Sequence, residues 1–160
     1  MGPAAEKTIM EELIRFLGID REARRGMEQV WSLIEGSLET IIGNFYVELR
    51  KSGFDMALSD QTIDRLKTRQ KEHWRSLFAS RFDQQYFNSA SLIGIKHYQI
   101  GLDPKWYIAG YAKIKSDIAL IILESPLPAA AKLRFVKTLD NYVALDTALA
   151  ISAYTALLVD

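Results

Sequence analysis

The chain has 160 residues, balances 20 basic against 20 acidic side chains and is 49% apolar. This supports one ordinary domain with a sizeable core, is too charged for a membrane bundle and leaves no basic footprint for nucleic acid. It contains no cysteine, which excludes disulfides, thiolate metal sites and cysteine nucleophiles and fits a reducing cytoplasm.

The opening residues Met1-Gly2-Pro3-Ala4-Ala5-Glu6 lack a basic segment followed by an apolar run, so no secretory signal is expected. Prolines stand only at positions 3, 104, 126 and 128, and the sequence between them has a helical period without strand-like alternation or internal repeat. The spacing predicts helices over about 6–17, 20–35, 37–52, 60–79, 84–100, 104–124 and 128–158. Asp20, Ser59 or Asp60, Asp83 and Asp103 are the expected N-caps, with Pro104 at the first position of its helix. Gly53 and Gly101 are expected helix stops, and Gly53–Ser59 a short connector. The charge-free run Thr147–Val159 is the best membrane candidate. It is shorter than the roughly 18–20 apolar residues a span needs, and it lacks basic flanks, so no membrane insertion is expected. A helix apolar on all sides must be buried or face a partner. The last two helices therefore either form the core of a symmetric homodimer or lie centrally in one monomer.

Two histidines are present. In the fifth predicted helix Tyr86, Ala90, Ile93, His97 and Ile100 share one face, which puts His97 inside an apolar stripe. Two readings are open: a core histidine bonded to a carbonyl, or a ligand to a metal or haem iron. His73 shares a face with Ile63, Leu66, Gln70 and Leu77. It reads either as a partly buried or interface histidine or as a second axial ligand. Zinc spacing, a glycine-rich phosphate loop and a nucleophile elbow are all missing, so hydrolytic and nucleotide chemistry has no support.

The run His97-Tyr98-Gln99-Ile100-Gly101-Leu102-Asp103-Pro104-Lys105-Trp106-Tyr107-Ile108, followed by Gly110-Tyr111, resembles the globin-coupled sensor domains. These are bacterial and archaeal haem globins related to protoglobins. Upstream, Asn44-Phe45-Tyr46, Asp64-Arg65-Leu66-Lys67, His73-Trp74, Leu77-Phe78 and Phe82-Asp83 agree, so the likeness runs from about Asp20 to the end. It implies an all-α, globin-like helical sandwich dimerising through its last two helices. The single domain 1–160 would comprise an extra N-terminal helix over 6–19 and a globin core over 20–160. The cofactor implied is haem b. His97 matches the proximal iron ligand, and Tyr46 the distal tyrosine that hydrogen-bonds bound gas. Leu66 matches an apolar distal residue; Phe45, Ile93, Trp106 and Tyr107 match residues lining the cofactor. From the residues alone, Tyr46 falls on one face with Ile42 and Leu49, and a core tyrosine bonded to a carbonyl is the competing reading.

One position departs from the pattern. Where family members often carry a small hydroxyl residue, one turn after the leucine, this chain has Arg69. A guanidinium in a closed pocket is costly unless paired, so Arg69 is expected to reach solvent or a haem propionate rather than the gas. The resemblance implies a cytoplasmic sensor of oxygen, also binding carbon monoxide and nitric oxide, rather than an enzyme. It also implies an output module such as a histidine kinase, diguanylate cyclase or methyl-accepting chemotaxis transducer. The chain closes at Asp160 straight after the apolar helix, as expected of an excised sensor domain or of a single-domain member. Two alternatives stand beside this: a single-domain globin for oxygen storage or nitric oxide and nitrite chemistry, and a haem-free interaction module.

Overall fold

The computed structural model describes the backbone of residues 2–54 and 56–159 and the side chains of residues 2, 8–54 and 56–156. Among these are seven helices and no strand: α1 (Pro3–Phe16), α2 (Arg21–Ile34), α3 (Leu38–Lys51), α4 (Asp60–Ala79), α5 (Gln84–Gln99), α6 (Pro104–Glu124) and α7 (Ala129–Val159). Their boundaries follow local chemistry. Asp20, Ser59, Asp83 and Asp103 each accept a hydrogen bond from a backbone N–H of the first turn they cap, which satisfies donors a helix start leaves open. Gly101 follows α5 at φ 75°, a conformation open to glycine at little steric cost.

α7 is the hub. It packs most extensively on α5, then on α6, and also touches α2 and α1, while α4 is held by α2 and α3. Amphipathic spacing fills the centre. Met27, Val30 and Ile34 come from α2, Ile114, Ile118 and Ile122 from α6, and Leu139, Tyr142, Leu145 and Leu149 from α7. α5 and α7 approach closely because Gly94 has no side chain. A Cβ there would stand 2.0 Å from the carbonyl oxygen of Ala150.

That contact corrects the stripe expected on α5. Its buried residues are Tyr86, Ala90 and Gly94. Ile93 and His97 are half-buried on the flank, and Ile100 is 57% exposed. The small residues allow closest approach to α7, so they set the rotation of the helix and turn His97 aside from α7. α7 is also not apolar on every side: it buries Asp146 completely and exposes Arg134, Lys137 and Asp140.

Candidate functional site

His97 lies in the last turn of α5, where its Nδ1 is 2.8 Å from the Ile93 carbonyl oxygen one turn back. A carbonyl only accepts, so Nδ1 carries the proton and the lone pair sits on Nε2. Burial lowers the pKa of the imidazole, and the bond to Ile93 opposes without overcoming this, so the ring is neutral near pH 7. Nε2 has no hydrogen-bond partner among the described residues. The next helix is brought back by a tight junction. Leu102 N–H donates to the His97 carbonyl at 3.0 Å, Asp103 caps α6, and Pro104 starts it. One turn on, the Tyr107 ring stands 5.1 Å from the imidazole. Its hydroxyl is buried without a hydrogen-bond partner among the described residues, and burial and the charge of Asp146 push its pKa far up. Trp106 goes elsewhere, edge-on to Phe54 at 5.4 Å.

The second group forms between α3 and α4. Tyr46 is buried, and its hydroxyl accepts a 2.8 Å hydrogen bond from Gln70 Nε2. Burial raises the phenol to about 12, the Gln70 bond working the other way. Phe45 stacks edge-on against Tyr46 at 4.9 Å and covers Gly110 of α6, where an added Cβ would meet its ring at 3.0 Å. Leu66 is half-buried against the same core. Arg69 is exposed. The partner of Tyr46 is thus a side-chain amide, not a carbonyl of the main chain, and Gln70 is the residue the sequence reading passed over. Its signal was present, since Gln70 is four residues after Leu66 on the same face.

A third cluster was not foreseen. Asp146 of α7 is fully buried, with Oδ1 2.9 Å and Oδ2 2.8 Å from His73 Nε2, and it accepts the hydroxyl protons of Tyr86 and Tyr111. His73 Nδ1 lies 3.3 Å from Ser89 Oγ. One carboxylate therefore ties α4, α5, α6 and α7 together, and both ring nitrogens of His73 are engaged by protein groups. Burial alone pushes Asp146 up and His73 down. Their mutual charge and hydrogen bond outweigh it, leaving the acid below and the imidazole above their ordinary values.

These donors fit a haem better than a bare metal ion. No group of three or more His, Asp or Glu converges among the described residues, whereas His97 offers one neutral imidazole with a free Nε2 and a fixed tautomer, beside an unpartnered buried hydroxyl. Two surface clefts lie apart from His97 and Tyr46. One runs between the α1–α2 turn and α7 and includes Arg25, Arg134 and Lys137. The other lies along α6 and α7, lined by Ile108, Tyr111, Ala112, Val143, Thr147 and Ala148 among others. No described helix is long and apolar enough to cross a membrane.

A family model described as Protoglobin matches residues 6–158. The heme-based aerotactic transducer HemAT of Halobacterium salinarum is 26% identical over 152 residues, covering 84% of this chain but 31% of its own length. The chain thus spans about a third of that relative. Among solved structures, the globin domain of the Geobacter sulfurreducens globin-coupled sensor superposes with a TM-score of 0.76 at 18% identity, over 91% of this chain and 97% of that one. The ferric globin domain of E. coli DosC gives 0.77 at 16% identity, over 92% and 99%. The fold is therefore that of these globin domains.

Proposed function

This chain belongs to the protoglobin family, and from that premise we propose that it is a haem-b gas-sensing domain whose principal ligand is oxygen, with carbon monoxide and nitric oxide also bound. The observation that carries the reading is His97: a neutral imidazole with Nδ1 committed to Ile93 and Nε2 open. His97 is the residue that would hold the iron, and Ile93, Phe45 and Tyr107 would line the cofactor, while Trp106 is turned to Phe54. Haem, when bound, supplies a reducible iron with an open position for a diatomic gas.

The chain's own residues do the rest. The Ile93 carbonyl fixes the ring orientation and makes the imidazole a better electron donor. Leu66 and Phe45 keep water out. Tyr46 retains its proton throughout the physiological range and offers it to a ligand on which negative charge builds. A change in position at His97 meets Tyr107 first. Farther along α6, Tyr111 bonds Asp146 of α7 and lines the α6–α7 cleft. That cleft is the face on which we place a second copy of the chain, so ligand state shifts the balance between two packings of the pair. Such a shift requires contacts that differ between the two states. The output lies in a further module of the histidine kinase, diguanylate cyclase or chemotaxis-transducer kind, as HemAT's description as an aerotactic transducer suggests, and this domain itself is not an enzyme. We place it in the cytoplasm, with 6–19 as an added N-terminal helix before a globin core over 20–160. The storage or nitrite alternative gains nothing from Arg69, which is exposed.

The test is spectroscopic. The reduced, haem-loaded protein should change its visible spectrum reversibly with oxygen and with carbon monoxide. Tyr46→Phe should keep the haem and release oxygen faster, and an off-rate unchanged in that variant removes Tyr46 from the ligand site.

A further inference from the structure

Among the described residues Gln70 is the side chain that hydrogen-bonds the Tyr46 hydroxyl. Its Nε2 donates to Tyr46 Oη across 2.8 Å, in a part-buried setting between α4 and α3. A phenol has one proton and two lone pairs. Accepting from an amide N–H uses a lone pair and leaves the proton uncommitted. No second partner for this hydroxyl occurs among the described residues, and burial keeps the proton in place up to about 12. An O–H that accepts a hydrogen bond is also polarised into a stronger donor. The neighbouring side chains do not compete: Leu66 is apolar and Arg69 points to solvent.

We propose that Gln70 is a specificity-determining residue, which holds Tyr46 with its proton turned toward the ligand and so favours oxygen over carbon monoxide. The basis is chemical. Bound oxygen gathers negative charge on its outer atom and gains from a fixed donor, whereas carbon monoxide gains little. Gln70 acts through Tyr46 and is therefore a positioning residue. The inference rests on the haem reading given above.

The experiment compares the ferrous haem-loaded wild type with Gln70→Leu, Gln70→Glu, Tyr46→Phe and the Tyr46→Phe/Gln70→Leu double variant. It reads oxygen and carbon monoxide dissociation and the C–O stretching frequency. Gln70→Leu should speed oxygen loss by about threefold to tenfold, the worth of one ordinary hydrogen bond. It should leave carbon monoxide nearly unchanged and raise the C–O stretch. Gln70→Glu should release oxygen at least as fast, because a carboxylate takes the phenol proton for itself. In the Tyr46→Phe background, Gln70→Leu should add nothing. In the haem-free protein one Gln70 side-chain amide proton should exchange slowly in wild type and quickly in Tyr46→Phe. Oxygen loss from Gln70→Leu at the wild-type rate overturns the inference alone. So does slower loss, which means that the amide oxygen was accepting the phenol proton. A wild-type chain that shows no Soret band after haem addition overturns the functional reading and this inference with it.

Discussion

Asp146 has no exposed surface, and its charge is held by groups from three other helices. Removing one partner of such a pair leaves a buried polar group uncompensated, at a cost of about 3–5 kcal/mol. Asp146→Ala should therefore lower the urea midpoint far more than Tyr86→Phe, which gives up one hydrogen bond worth about 1 kcal/mol. Both directions of shift also make stability depend on pH. The acid is depressed in the folded chain, so its contribution is present above its ordinary value of 3.8 and is lost as pH falls through the folded value. The imidazole is raised, so its contribution is complete below 6.5 and is lost as pH rises through the folded value. The pair contributes most between those two ordinary values. Urea midpoints should decline as pH rises above 6.5, and His73→Gln should flatten that limb. An unchanged alkaline limb in the variant would assign it to other groups. His97 adds the opposite sign, because its lowered pKa means that acid must charge a ring the fold buries neutral.

The same residues mark where sequence is informative about elements and where it is not. Helix positions, the four aspartate and serine caps and the glycine stop after α5 are encoded by neighbours three or four positions apart, and they are legible in the chain. The rotation of α5 is not, because it is decided by contact with α7: Gly94 meets Ala150 across 56 positions of chain. Nor is the Asp146 cluster, whose partners stand 73, 60 and 35 positions away. A single acid in an apolar helix looks locally like a solvent-facing residue. Spacing placed Tyr46 on an inward face, as observed, but put His97 inside the apolar stripe when it lies on the flank. The roles of both came from resemblance, and Gln70, legible only as a face-mate of Leu66, was tied to Tyr46 by distance. The close approach makes its own prediction. Gly94→Ala would gain about 1 kcal/mol in helix propensity, yet its Cβ would stand 2.0 Å from a main-chain oxygen. Repacking α5 against α7 should outweigh that gain and leave the variant about 1–3 kcal/mol less stable by chemical denaturation. A variant as stable as wild type would show that the two helices can part freely.

At the scale of the whole molecule, α6 and α7 leave several large apolar side chains open to solvent. Ile108, Leu120, Leu123 and Leu133 are all large and exposed, and small residues such as Ala112, Ala144 and Ala148 line the cleft between the helices. Contiguous apolar surface is what a protein–protein interface uses, so this is where the proposed second copy would pack. Sedimentation should find a dimer, and Ala144→Arg, which sets a charge in the cleft, should give a folded monomer. A dimer that survives the substitution would place the interface elsewhere. The residues proposed for the site come from four helices, Tyr46 and Gln70 from α3 and α4 and His97 and Tyr107 from α5 and α6. Everything proposed for the site depends on His97 as the iron ligand. The decisive comparison is the absorption spectrum of the haem-loaded wild type beside His97→Ala. A strong Soret band that is weakened or lost in His97→Ala is the expected result. An identical band in both proteins, or none in either, would contradict it.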